Sequence, residues 1–103
     1  MNRDSTLKQG YELLENGLLA QCEIMCRAVP VHQRDHPDFL FLLAQLNERQ
    51  GRVANAGELY ERLIERCPNN AHFHLGFAQY LKIQDRADAA ERHFRRSITL
   101  EPT

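Results

Sequence analysis

Residues 37–70 read PDFLFLLAQLNERQGRVANAGELYERLIERCPNN, and this stretch decides the architecture. Phe39, Leu40, Leu42, Leu43 and Leu46 fall three and four apart, the spacing that lays an apolar stripe on one helix face. Leu59, Tyr60, Leu63 and Ile64 do the same after the break Gln50-Gly51-Arg52. Glycine at that break tolerates the left-handed backbone that commonly ends a helix. Pro68, in Cys67-Pro68-Asn69-Asn70, stops the second helix. The stretch therefore predicts a helix–turn–helix block.

Copies of the block lie on both sides. Gly10, Ala44 and Ala78 form a column at an interval of 34, as do Gly17, Gly51 and Asp85, and Cys22, Ala56 and Ala90. A period of this length marks a repeat array in which each unit is one supersecondary block. We read one domain over residues 1–103, with repeats at about 3–36, 37–70 and 71–103. The predicted fold is all-α, an α-solenoid of three tandem helix–turn–helix repeats. The third copy carries Phe73, Phe77, Tyr80 and Leu81, then Phe94, Ile98 and Leu100; nothing alternates with the period-two pattern of strands. Four residues after the last small column come Cys26, Tyr60 and Phe94 on the same face, so each close contact is followed by a bulkier filler.

The pattern resembles the tetratricopeptide repeat. Repeat three carries Phe77-Ala78-x-x-Leu81, Ala90-x-x-x-Phe94 and Pro102; repeat two carries Leu40-x-x-Leu43-Ala44, Ala56-x-x-x-Tyr60 and Pro68. Repeat one is the weak copy. It keeps Gly10-x-x-Leu13 and Gly17 but has Cys22-x-x-x-Cys26 and Arg34 where the others have alanine–aromatic and proline. Asn47 stands where Leu13 and Leu81 are apolar, and Leu46 is expected to take over its packing. Pro30 should end the second helix of repeat one early, leaving an irregular link from Val31 to Pro37.

The resemblance implies a right-handed superhelix whose concave groove is lined by the first helix of each repeat and holds a partner peptide or protein segment. Carried through the register, the groove residues are Leu7, Tyr11 and Leu14, then Phe41, Gln45 and Glu48, then His72, Leu75, Gln79 and Lys82. Tyr11 and Phe41 are the natural anchors, because aromatic side chains dominate binding energy at interfaces. Gln45 and Gln79 suit the backbone groups of an extended peptide. One subset of the family grips a chaperone's terminal carboxylate with lysine, asparagine and arginine. The matching positions here hold Leu7, Tyr11, Leu42, His72 and Gly76, which supply no such group.

Other constellations have simpler readings. Cys22, Cys26, His32 and His36 form Cys-x3-Cys-x5-His-x3-His, a donor set that zinc accepts. Both cysteines occupy columns that packing already explains, so we assign them to the core and expect no metal and no cofactor. His72 and His74 are two apart and do not share a helix face; His72 is read toward the groove and His74 toward the repeat junction. Asp35-His36 has no aligned nucleophile, and no glycine loop for phosphate is present, so no enzyme activity is expected.

Lys+Arg 13 against Asp+Glu 14 leaves a net charge of -1, which argues for neither nucleic acid nor an anionic membrane as partner. Arg86, Arg92, Arg95 and Arg96 are read as a solvated helix face. Three cysteines without a leader segment, and no apolar run of membrane length, point to a cytoplasmic protein. The chain stops at Glu101-Pro102-Thr103, in register with the repeat. The apolar side chains of the third repeat then need cover from a continuation, a second copy or a docking partner. The primary expectation is a non-catalytic interaction scaffold. The in-register ending motivates an alternative, an N-terminal regulatory or targeting region of a larger enzyme such as a transferase.

Overall fold

The computed structural model describes residues 3–101. The helices run α1 (Arg3–Glu15), α2 (Leu19–Arg27), α3 (Pro37–Arg49), α4 (Val53–Arg66), α5 (Ala71–Ile83) and α6 (Ala87–Leu100). A 3₁₀ turn at Val31–Gln33 separates α2 from α3, and no strand occurs among the described residues. The all-α expectation holds: the chain is a succession of helix–turn–helix pairs, the building block of an α-solenoid. Packing divides it into two compact units, Met1–Ala56 and Gly57–Thr103, with the boundary inside α4.

One turn design closes the first helix of every pair. Gly17, Gly51 and Asp85 all have positive φ, at 74°, 81° and 61°. Behind each the same two bonds form. Gly17 N–H donates to Leu14 O and Leu18 N–H to Leu13 O; Gly51 donates to Glu48 O and Arg52 to Asn47 O; Asp85 donates to Lys82 O and Arg86 to Leu81 O. These are the paired bonds of a Schellman ending, which satisfy carbonyls the helix would otherwise leave unpaired. Aspartate reaches this conformation at a steric cost that glycine does not have.

In the first unit, Leu14, Cys22, Cys26, Val29, Phe39, Leu42 and Leu46 form the core, with Leu7, Tyr11, Leu13, Leu19, Met25 and Leu43 packed against it. Burial of each leucine or phenylalanine contributes roughly 1.5–3 kcal/mol. The small column has the packing reason expected of it. A Cβ at Gly10 would stand 2.6 Å from Leu42 Cδ2 and 2.8 Å from Met25 Cε. The Cys22 thiol donates to the Gly10 carbonyl at 3.6 Å across the same approach.

The helix α2 is short, 9 residues against 14 in α4 and α6, because the chain turns toward Pro30. The link expected to be irregular contains the 3₁₀ turn. Arg34, which replaces the proline of the other repeats, closes the helix instead: Nε donates to Val29 O at 2.8 Å and Nη2 to Arg27 O at 2.7 Å. Pro102, quoted for repeat three, lies outside the described residues. His36 caps α3 by accepting from Asp38 N–H at 3.1 Å, with Pro37 at the first helical position. Leu46 is buried, while Asn47 turns its amide onto the Leu43 carbonyl at 2.8 Å, as its apolar neighbour allows.

In the second unit α5 is the central element. Asn70 caps it by accepting from Phe73 N–H at 3.1 Å. Phe73, His74, Phe77, Ala78, Tyr80 and Leu81 are buried along its length. Tyr60 stacks on Phe77 and Tyr80, with ring centroids 5.8 and 5.3 Å away. Gly57 makes room for this cluster, since a Cβ there would lie 2.6 Å from the Tyr80 hydroxyl. Helix α6 is tied down through Ser97 Oγ, donating to Ala71 O at 3.0 Å, and Arg96, donating to Asn69 Oδ1 at 2.9 Å. Its remaining arginines face solvent, Arg95 pairing with Glu91 one turn earlier.

Candidate interaction surfaces

The residues expected to line a groove divide between the two units. In the first, α1 packs directly on α3. Leu7 and Tyr11 on α1 are half-buried, as are Phe41, Gln45 and Glu48 on α3. Leu14 is 1% exposed and belongs to the core, beneath the surface rather than on it. Burial pushes the Tyr11 phenol well above its ordinary pKa, and the Asp38 carboxylate adds to the shift. Tyr11 therefore stays neutral, able to offer a ring face and a hydroxyl at physiological pH.

In the second unit His72, Leu75, Gln79 and Lys82 are all exposed. Their spacing of three, four and three puts them on one stripe of α5, opposite its buried side. The His72 imidazole lies 3.7 Å from the Glu101 carboxylate. The stripe therefore combines an apolar side chain, an amide and basic groups.

The sequence reading separated His72 from His74, and the two do point differently. His74 is 4% exposed. Its Nε2 is 2.7 Å from the Pro68 carbonyl, and its Nδ1 is 3.0 Å from Nδ1 of His93. A carbonyl can only accept, so His74 carries its hydrogen on Nε2 and, when neutral, accepts at Nδ1 from His93. His93 also tilts against Phe77, at 4.7 Å between ring centroids. Burial lowers the His93 pKa, and the neighbouring His74 and Arg92 lower it further. This pair was not legible in the sequence, because residues 19 apart meet only when α6 folds back on α5.

The cysteines sit where the packing reading put them. Cys22 and Cys26 are buried core residues, and Cys67 is half-buried. Burial raises the Cys22 pKa, partly opposed by the hydrogen bond from Cys26. Burial, with Cys22 and Glu23 nearby, pushes Cys26 up to about 12. The thiolate is the form that binds metals and attacks electrophiles, so both side chains are held in the unreactive form. His36 spends its Nδ1 capping α3, and His32 is exposed in the 3₁₀ turn.

A hollow that the sequence reading did not anticipate opens between α2 and α3. It measures about 240 Å³ and is lined by Cys26, Phe39, Leu43 and Leu46, with Arg27, Arg34 and Arg52 among its polar residues. Arg27 and Arg52 both donate to Glu23 Oε1, at 3.2 and 3.1 Å. Burial raises the Glu23 pKa, but the Arg52 hydrogen bond, the Arg27 and Arg52 charges and the Gln50 amide outweigh it and hold the carboxyl below its ordinary range. The sequence signal for the hollow was Cys26, a small side chain in a column otherwise aromatic.

Residues 37–80 match the family model of the tetratricopeptide repeat, a stretch that opens at the start of α3, takes in α4 and ends within α5. That stretch is similar to the tetratricopeptide repeat, the family its motifs pointed to. Repeats of this family generally mediate protein–protein interaction and are typically non-catalytic. No curated protein matches the chain. No helix among the described residues is long and apolar enough to cross a membrane.

Proposed function

We propose that this protein is a non-catalytic scaffold that takes a partner peptide or protein segment on the inner faces of its first helices. The observation that carries the reading is the similarity of residues 37–80 to the tetratricopeptide repeat, a family whose repeats bind other proteins. In the first unit Leu7, Tyr11, Phe41, Gln45 and Glu48 are the contact residues, supported from below by Leu14. In the second, His72, Leu75, Gln79 and Lys82 are. Rings supply most of the binding energy and amides pair with the peptide backbone. The reading assigns no cofactor, no nucleic acid and no membrane partner. Three free thiols support a reducing, cytoplasmic setting.

The experiment is an affinity purification followed by titration of the recovered partner. Tyr11→Ala combined with Phe41→Ala should lower affinity by at least about tenfold, some 1.4 kcal/mol, while the circular dichroism spectrum stays helical. Unchanged affinity in the double variant would remove the inner-face reading.

A further inference from the structure

The two places where a second helix meets the next first helix can be superposed in sequence by the 34-residue register. Tyr60, Phe77 and Tyr80 then fall on Cys26, Leu43 and Leu46. In the second unit the three rings stack on one another and fill the junction. In the first unit Cys26, Leu43 and Leu46 all line the hollow instead. The place held by a ring in one junction is held in the other by a thiol, and the volume is left open.

Size, polarity and charge each narrow the occupant. The hollow of about 240 Å³ falls below the roughly 300–1,000 Å³ of a drug-sized ligand site and suits a single bulky side chain. Its floor of Cys26, Phe39, Leu43 and Leu46 is apolar. Gln50 also lines it, and its amide acts on Glu23. Three arginines, Arg27, Arg34 and Arg52, stand against the single carboxylate of Glu23, so the lining is cationic. Arginine fits both carboxylates and ring faces.

We propose that this hollow is a second docking site, which receives a tyrosine side chain from an acidic partner segment. The ring replaces the one that Tyr60 supplies at the equivalent position of the next repeat, its hydroxyl points to the polar rim, and flanking carboxylates meet Arg27 and Arg52. The site is separate from the inner-face surface: Leu43 and Leu46 lie about half a turn round α3 from Phe41, Gln45 and Glu48. It does not depend on that reading.

The test uses the full chain and the peptide acetyl-Glu-Glu-Tyr-Glu-Glu-amide at millimolar concentrations, followed by ¹H–¹⁵N correlation spectra. Signals of Leu43, Leu46 and Gln50 should shift on titration. Replacing the peptide's tyrosine by alanine, or its glutamates by lysines, should each weaken binding about tenfold. Cys26→Phe fills the hollow from inside, so it should abolish the shifts and raise the melting temperature by a few degrees. If that variant fails to fold, Leu43→Phe closes the same space from α3 and serves in its place. Tyr11→Ala with Phe41→Ala should leave probe binding unchanged, which keeps the two surfaces distinguishable. The proposal is overturned by an absence of shifts, by shifts confined to Tyr11 and Phe41, by shifts that survive the filling variant, or by equal binding of either control peptide.

Discussion

Cys26 and Tyr60 occupy the same register position, four residues after a buried small side chain, and lead to opposite outcomes. Around Tyr60 the second unit assembles three stacked rings, with Gly57 yielding space to the Tyr80 hydroxyl. Around Cys26 the first unit keeps its core but leaves a hollow at its edge, and Arg34 closes α2 from the register position that Pro68 holds after α4. The difference teaches that the repeat prescribes where helices approach, through Gly10, Ala44 and Ala78. It leaves open how the space beyond the close contact is filled. A copy that drops its filler loses packing and acquires a cavity.

The largest expected effect lies at the filler itself. Tyr60→Ala should cost about 3–5 kcal/mol in urea unfolding, because it removes a fully buried ring and its stacking contacts with Phe77 and Tyr80. Cys26→Ala should cost about 1 kcal/mol, since the hollow already exists and little contact is lost. Equal costs at the two positions would break the comparison.

A smaller effect lies in the turns. Asp85 adopts φ 61 where its counterparts Gly17 and Gly51 pay no steric penalty. Asp85→Gly should therefore stabilise the chain by about 0.5–1 kcal/mol, read as a rise in melting temperature. A fall would show that the aspartate side chain contributes something the backbone geometry does not reveal.

The smallest effect is on pH. His93 has a folded pKa below its ordinary value of 6.5, through burial first and then His74 and Arg92. The unfolded chain then binds the proton more readily than the native one. Stability is full above that ordinary value, falls as the pH drops through it, and levels off below the depressed native value. The first-repeat counterparts of His74 and His93 are Thr6 and Met25, so this response belongs to the second unit alone. His93→Gln should flatten the melting-temperature profile between about pH 7 and 5. An unaltered profile would place the titrating group elsewhere.

Much of the fold was legible because it rests on local rules. The apolar spacing of Phe39 to Leu46 forces one helix face inward, and glycine or aspartate at 17, 51 and 85 supplies the backbone that ends each first helix. That His72, Leu75, Gln79 and Lys82 share one exposed stripe of α5 was legible for the same reason, since helical period alone puts them on one side. Leu14 shows where the register ran short. Its position lies on the stripe, but α1 packs on α3 so closely at Gly10 that the side chain is enclosed.

The residues by themselves determined helices, turns and the 34-residue recurrence, because each depends on neighbours no more than a few positions away. Only the tertiary structure decided that His74 meets His93, and that a thiol beside two leucines leaves a hollow where three rings would have closed it. Those outcomes depend on volumes and hydrogen-bond partners brought in from distant helices, which no periodicity along the chain records.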